Sequence, residues 1–222
     1  MDLALNEIQS LIQNLAREFM EGEMPKDKVL EIDDSPSGFS EEVWRKMCEI
    51  GWAGMIIPEA YGGSENSFTD LGVLYEVMGY YACPSPHLSS SVICAQAIME
   101  AGSDDQKKAL LPGIASGQQI FALALTEPDC GTDLQGIRTK AVRDGDDYVI
   151  DGNKMWITNS LEGNVLAVLV KTDPKADPAH KGMSLLLAEK SAGYEGRKLD
   201  KLGYRGIDTG ELQFDGVRVP AE

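Results

Sequence analysis

The sequence predicts an α+β chain in two parts: an all-α helical domain over residues 1–118, then an antiparallel β-barrel or sandwich domain over residues 119–222. Three observations predict it. From Ile8 to Ile114, apolar residues recur at helical spacing, with capping signals between the runs. After Gly117 the period shortens to strand-like runs rich in Val, Ile and Thr. Turn dipeptides then separate many short runs, which is the pattern of an antiparallel β domain. The boundary is expected near Ser116 to Gln119.

The first helix is predicted from Ile8, Leu11, Ile12, Leu15 and Phe19, which fall on one helical face; Gly22 and Pro25 end it. Asp33 to Gly38 reads as a loop. Ser40, followed by Glu41 and Glu42, then opens a second helix carrying Trp44, Met47 and Ile50, its acidic first turn suited to the positive end of the helix dipole. Gly51 to Gly63 has no helical period, and Pro58 with Gly62-Gly63 forces a turn, so a structured loop is expected. A third helix runs from about Ser67 to Tyr81 with Leu71, Leu74, Val77 and Met78 inward. A fourth covers about Ser89 to Ala101 and is apolar on most sides, so it should be central and buried. Ser103-Asp104-Asp105-Gln106 is a capping box for a fifth, which packs Leu110, Leu111 and Ile114.

Strands are expected at Phe121 to Thr126, Arg138 to Val142, Tyr148 to Ile150, Lys154 to Thr158 and Val165 to Lys171. Others follow at about Met183 to Glu189, Gly196 to Lys201 and Glu211 to Phe214. Asp144-Gly145, Asp151-Gly152, Pro174 to Pro178 and Asp215-Gly216 read as the turns between them.

Composition narrows the function. The chain has 222 residues, enough to bury a real core, and a formal net charge of −16. That charge argues against nucleic acid, whose phosphates need clustered Lys and Arg. It leaves room for an anionic coenzyme held by local amides. Cys48, Cys83, Cys94 and Cys130 include no CxxC pair, and the only histidines are His87 and His180. A metal site is therefore not expected, and the thiols read as reduced and buried. No apolar run reaches the about 18–20 residues that span a bilayer. Met1-Asp2-Leu3 leads directly into the amphipathic pattern, with no basic segment before it, so a cytoplasmic location is expected.

Two stretches carry the chemistry: Leu123-Ala124-Leu125-Thr126-Glu127-Pro128-Asp129-Cys130-Gly131-Thr132-Asp133 and Lys154-Met155-Trp156-Ile157-Thr158-Asn159. Each places a hydroxyl at the end of an apolar run. The first then breaks at Pro128 and Gly131, where backbone N–H groups can turn outward. Hydroxyl and amide donors, a flat indole and a glycine-lined anion contact are the parts that hold a planar, electron-accepting ring joined to a diphosphate. Thr126 and Thr158 taken singly would be ordinary strand residues satisfying nearby backbone, and Trp156 an ordinary core or interface aromatic. Their joint order and spacing carry the inference.

ALTEPDCGTDLQGIRTKA followed by DGNKMWITNS resembles the flavin-binding signature of the acyl-CoA dehydrogenase family. The likeness extends to GWAGMIIPEAYGG, the capped fifth helix and the closing KLGYRGIDTGELQFDGVRVP. It implies FAD as cofactor. The Leu125 backbone and Thr126 would face the pyrimidine part of the ring and Thr158 its N5. Trp156 would lie against the flavin at the substrate end, with Ile157 giving backbone contacts. Gly131 and Thr132 would reach pyrophosphate or pantetheine oxygens, Thr132 touching substrate. The implied reaction is α,β-dehydrogenation of an acyl-CoA to a 2-enoyl-CoA, with electrons passed to an electron-transfer flavoprotein and a homo-oligomer or heteromer as the assembly.

Such a reaction needs a base for the α proton, an acceptor for the β hydride and donors for the thioester oxygen. No side chain accepts a hydride, so a cofactor must. The resemblance places the catalytic glutamate in a C-terminal helical bundle, and the sequence stops at Val219-Pro220-Ala221-Glu222. No glutamate here is assigned as the base, and Glu127 reads as a structural acceptor in the flavin turn. Asp129 departs from the family's small residues and puts a charge near an expected anion site. The same residues are compatible with a flavin oxidase or monooxygenase of the same fold, or with a non-catalytic partner subunit.

Overall fold

The computed structural model describes residues 4–221. Met1 to Leu3 and Glu222, on which the expectations about the two chain ends partly rest, lie outside the described residues. The chain divides into two compact units: Met1–Gln118 with Leu202–Ile207, and Gln119–Lys201 with Asp208–Glu222. No helix among the described residues is long and apolar enough to cross a membrane.

The helical unit contains α1 (Glu7–Glu23), α2 (Lys26–Asp33), α3 (Glu41–Glu49), α4 (Phe68–Tyr80), α5 (Ala95–Ala101) and α6 (Asp104–Ala115). The caps that end these helices are local chemistry. Asn6 and Gln9 form a capping box on α1, Ser67 and Asp70 one on α4, and Ser103 and Gln106 one on α6. The inward residues expected of α4 are all buried, as are Leu111 and Ile114 of α6. Two features differ from the sequence reading. Residues 26–33, following Pro25, form the extra helix α2, because proline is compatible with a helix start. The amphipathic face of α1 is also only partly covered: Ile8 and Leu11 are 57% and 67% exposed, Ile12 and Phe19 are half-buried, and Ala16 and Met20 beside them are fully buried.

Ahead of α5, Leu88–Cys94 winds as a π-helical turn whose Ser89, Ser90 and Ser91 are buried. Beside it lies a buried polar relay. His87 Nε2 donates to the Trp52 carbonyl at 2.9 Å, and its Nδ1 accepts from the Tyr75 hydroxyl at 2.7 Å. The loop expected over Gly51 to Gly63 consists of two short 3-10 turns. Gly63 is required there: a Cβ would stand 1.9 Å from the Ile57 carbonyl oxygen. Residues 202–207 return to this unit, where Arg205 pairs with Asp33 at 2.8 Å and with Asp34 at 2.9 Å.

The second unit is a seven-stranded curled sheet: β1 (Phe121–Ala124), β2 (Lys140–Asp144), β3 (Asp147–Thr158), β4 (Val165–Lys171), β5 (Met183–Glu189), β6 (Glu195–Lys198) and β7 (Thr209–Pro220). Its order is β1-β4-β2-β3-β7-β6, with β5 on the other edge of β4. Most pairs are antiparallel, but β1 runs parallel to β4 in the register Phe121↔Val165, so the sheet is mixed. The core is formed by inward residues of several strands, among them Ala124, Ile150, Ile157, Val168, Phe214 and Val219.

Two expected turns are corrected. Asp151-Gly152 lies inside the continuous strand β3, and Asp215-Gly216 inside β7, opposite one another across a register shift. Here Ile150 pairs with Val217 and Gly152 with Phe214, so β7 carries one extra residue. Gly216, at φ +64, absorbs it and donates its N–H to Asp151 Oδ1 at 3.0 Å. An Asp-Gly pair supplies the same positive φ to a bulge as to a hairpin, and sequence alone does not separate the two.

Candidate functional site

The two stretches singled out in the sequence meet at the ends of β1 and β3. Met155 N–H donates to the Thr126 carbonyl at 2.9 Å, and Asn159 Nδ2 donates to the Phe121 carbonyl at 3.0 Å. These bonds set Thr126 beside the segment that carries Trp156 and Thr158.

A bulge decides which way that segment faces. Lys154 pairs with Leu212 and Ile157 with Gly210, so Met155 and Trp156 together oppose the single residue Glu211. Strict alternation would put Lys154 and Ile157 on opposite faces of the sheet. The extra residue reverses the phase, and both are buried. Trp156 takes the strain, at φ +63, and the residue is 55% exposed. An aromatic held in a left-handed conformation and turned out of the core is a configuration that packing does not explain. Among the described residues, no hydrogen bond is made within the protein by the Trp156 indole N–H or by the hydroxyls of Thr126 and Thr158. Leu125, Thr126 and Thr158 are half-buried, whereas the Ile157 side chain is in the core, leaving only its backbone to face outward.

The turn after β1 is closed by a reciprocal backbone pair, Glu127 N–H to Cys130 O at 2.8 Å and Cys130 N–H to Glu127 O at 3.1 Å. Beyond it, Gly131 and Thr132 are exposed. A Cβ built on Gly131 meets nothing within 4 Å, and its φ is not left-handed. The fold itself therefore makes no demand for glycine there. Asp129 is exposed and pairs with the equally exposed Arg138 at 3.3 Å, which offsets its charge next to the turn.

A buried ion pair beneath this surface was not among the site residues read from the sequence. Lys154 Nζ donates to Glu127 Oε1 at 2.9 Å and to the Leu125 carbonyl at 2.9 Å, with the lysine side chain wholly enclosed. Glu127 also accepts the N–H groups of Arg138 at 2.6 Å and Thr139 at 3.0 Å. Burial pushes the Glu127 carboxyl up, but the bonds from Thr139, Arg138 and Lys154 outweigh it and hold the group below its ordinary value. Burial pushes the Lys154 ammonium down, and Glu127 pulls it part of the way back. The sequence marks Glu127 only as a structural acceptor; its partner Lys154 is brought inward by the register shift, which the local pattern does not record. On its outer side, a hollow of about 310 Å³ is lined by Pro128, Lys154, Arg197 and Glu211. The other carboxylate missed is Asp208, which is buried and accepts from Ser160 Oγ at 2.9 Å and from the Leu161 and Glu162 N–H groups, holding the loop that follows Asn159.

Comparison with known proteins matches residues 6–118 to the acyl-CoA dehydrogenase N-terminal domain and residues 122–217 to the acyl-CoA dehydrogenase middle domain. The chain belongs to the acyl-CoA dehydrogenase family. The mitochondrial long-chain specific acyl-CoA dehydrogenase of Sus scrofa is 40% identical over 186 residues, covering 82% of this chain and 43% of that protein. The mitochondrial isovaleryl-CoA dehydrogenase of Pongo abelii is 36% identical over 220 residues, covering 97% and 52%. The crystal structure of an acyl-CoA dehydrogenase from Geobacillus kaustophilus superposes with a TM-score of 0.91 at 34% identity, over 100% of this chain and 58% of that one. The chain spans about half the length of the relatives it matches.

Acyl-CoA dehydrogenases are FAD-dependent flavoproteins. The donors present here fit that group: unpaired hydroxyls, an outward indole and a turn with open space at Gly131. Two expected results follow from this candidate site. Gly131→Ala should change the unfolding free energy measured in urea by no more than about 0.5 kcal/mol, since its Cβ meets nothing. It should nevertheless weaken retention of a pyrophosphate-bearing ligand by crowding the turn. Loss of stability with unchanged retention would mean that the glycine serves the fold. Trp156→Gly should leave stability unchanged or raise it by up to about 1 kcal/mol, through relief of the left-handed backbone. Clear destabilisation in urea would show that the indole packs as a core residue.

Proposed function

We propose that this chain provides the flavin-binding part of an FAD-dependent acyl-CoA dehydrogenase that converts an acyl-CoA thioester to its 2-enoyl-CoA. The observation that carries the proposal is the outward, strained Trp156 flanked by the unpaired Thr126 and Thr158 hydroxyls on two stapled strand ends. In this reading the Leu125 backbone, Thr126, Trp156, Ile157 and Thr158 hold the isoalloxazine ring, and Gly131 and Thr132 hold pyrophosphate or pantetheine oxygens. Bound FAD would supply the hydride acceptor that no side chain can be. The residues of this chain position it, exclude water beside the indole and present donors to the ring.

No base is assigned among these residues. Glu127 has the right chemistry, but it is buried and already accepts from Lys154, Arg138 and Thr139. The proposal places the base on chain outside residues 1–222, so these residues alone should bind flavin without turning over acyl-CoA. Electron transfer to an electron-transfer flavoprotein and assembly into an oligomer belong to the same proposal.

The test is a visible spectrum after adding FAD and removing the excess. A retained, perturbed flavin band, with quenched Trp156 fluorescence, is the expected result. The absence of any retained flavin, repeated on a longer chain that includes the C-terminal half, would overturn the reading.

A further inference from the structure

We infer that Lys154 is a positioning residue that polarises the Leu125–Thr126 peptide, making the Thr126 backbone N–H a charge-assisted donor at the candidate flavin site. The inference rests on the proposed flavin reading for its function and on geometry for its cause. Lys154 Nζ donates to the Leu125 carbonyl at 2.9 Å. That carbonyl and the Thr126 N–H belong to one peptide group. Among the described residues the Thr126 N–H has no acceptor within the protein, although its own carbonyl is taken by Met155.

The physical consequence follows from the burial. An ammonium pulling on a carbonyl oxygen withdraws electron density from the amide nitrogen, so the N–H at the other end becomes a stronger donor. In water the effect would be screened, but the Lys154 side chain is wholly enclosed and that of Glu127 is 6% exposed. Glu127 has a second role: it keeps the buried ammonium charged while accepting only one of its three N–H groups, and another reaches Leu125. A lysine that served only the ion pair would need no contact with the peptide facing the site. An acceptor that gains negative charge is stabilised most by such a donor, so the arrangement favours a reduced ring over an oxidised one.

Two measurements test this. In the unchanged chain, the Leu125 carbonyl carbon and Thr126 amide proton should resonate downfield of neighbouring strand positions. Ordinary shifts for both overturn the proposal, whether or not FAD binds. The double variant Lys154→Met/Glu127→Gln removes the pair without stranding a charge. It should lose both downfield shifts and bind reduced FAD about tenfold less favourably relative to oxidised FAD, lowering the two-electron midpoint potential by roughly 30 mV. Shifts and potential unchanged in the folded double variant would leave Lys154 a purely structural residue and sink the inference. If the unchanged chain shows the downfield pair yet retains no flavin even with the C-terminal half present, the flavin reading fails and the polarised peptide stands.

Discussion

The single variant Lys154→Met is expected to unfold more easily than the parent by about 3–5 kcal/mol, the largest loss among the changes considered. Methionine fills much of the lysine volume, so the loss is electrostatic rather than a cavity. It leaves the Glu127 carboxylate buried with two backbone donors but no countercharge, and it removes the donor to the Leu125 carbonyl. Both contacts of β3 with the turn after β1 that Lys154 makes are lost at once. Urea unfolding monitored on the β unit gives the number. A loss under about 1 kcal/mol would show that solvent reaches the pair. The double variant with Glu127→Gln should recover much of the loss, because replacing both members of a buried pair removes the uncompensated charge. The coupling between the two changes, read as a double-mutant cycle, separates this account from simple misfit.

The second large effect is an acid lability of the helical unit centred on His87. Its ring is fully buried and bonded on both nitrogens, and burial lowers its pKa to about 4, opposed only by the bond to the Trp52 carbonyl. The unfolded chain takes up the proton near the ordinary histidine value, about 6.5. Stability from the buried neutral ring is therefore complete above about pH 6.5. It is lost as the pH falls from there toward about 4, by about 3 kcal/mol in total. The lowered carboxylates Glu42, Asp70 and Glu127 lose their contribution further down, as the pH falls from the ordinary carboxylate values through their lowered ones. The interval from about pH 6.5 to 4.5 thus belongs to His87. His87→Gln keeps one donor and one acceptor and should flatten the stability of the helical unit across that interval. A parent chain equally flat there would mean that His87 protonates freely and is not enclosed.

Much of the fold was legible because it is local chemistry. Ser40, Ser67 and Ser103 cap helices where a side-chain oxygen can meet N–H groups two or three residues ahead, and α4 buries the residues its period marks. Most of the strand content was equally readable, and the two hydroxyl-ended runs singled out in the sequence do lie side by side. Features that depend on distant partners were not. Ile8, Leu11 and Leu15 share an apolar face with Ile12 and Phe19, yet the first three stay exposed while the packed side of α1 centres on Ala16 and Met20. Asp151-Gly152 and Asp215-Gly216 have the composition of hairpin turns, but each lies within a strand, opposite the other.

The sequence by itself determined the α-then-β order, the capped starts of α3, α4 and α6, and most of the strands, two of the expected ones being joined in β3. These follow from spacing, capping and residue type, which act over a few positions of chain. Only the tertiary structure decided that β1 runs parallel to β4, that residues 202–207 fold with the helical unit, that the bulge turns Trp156 outward, and that Lys154 reaches Glu127 and Leu125 beneath it. Each of those depends on register or on a partner far along the chain. A shift of one residue in register moves a side chain to the other face of a sheet, and nothing in the local pattern records which register the assembled strands take.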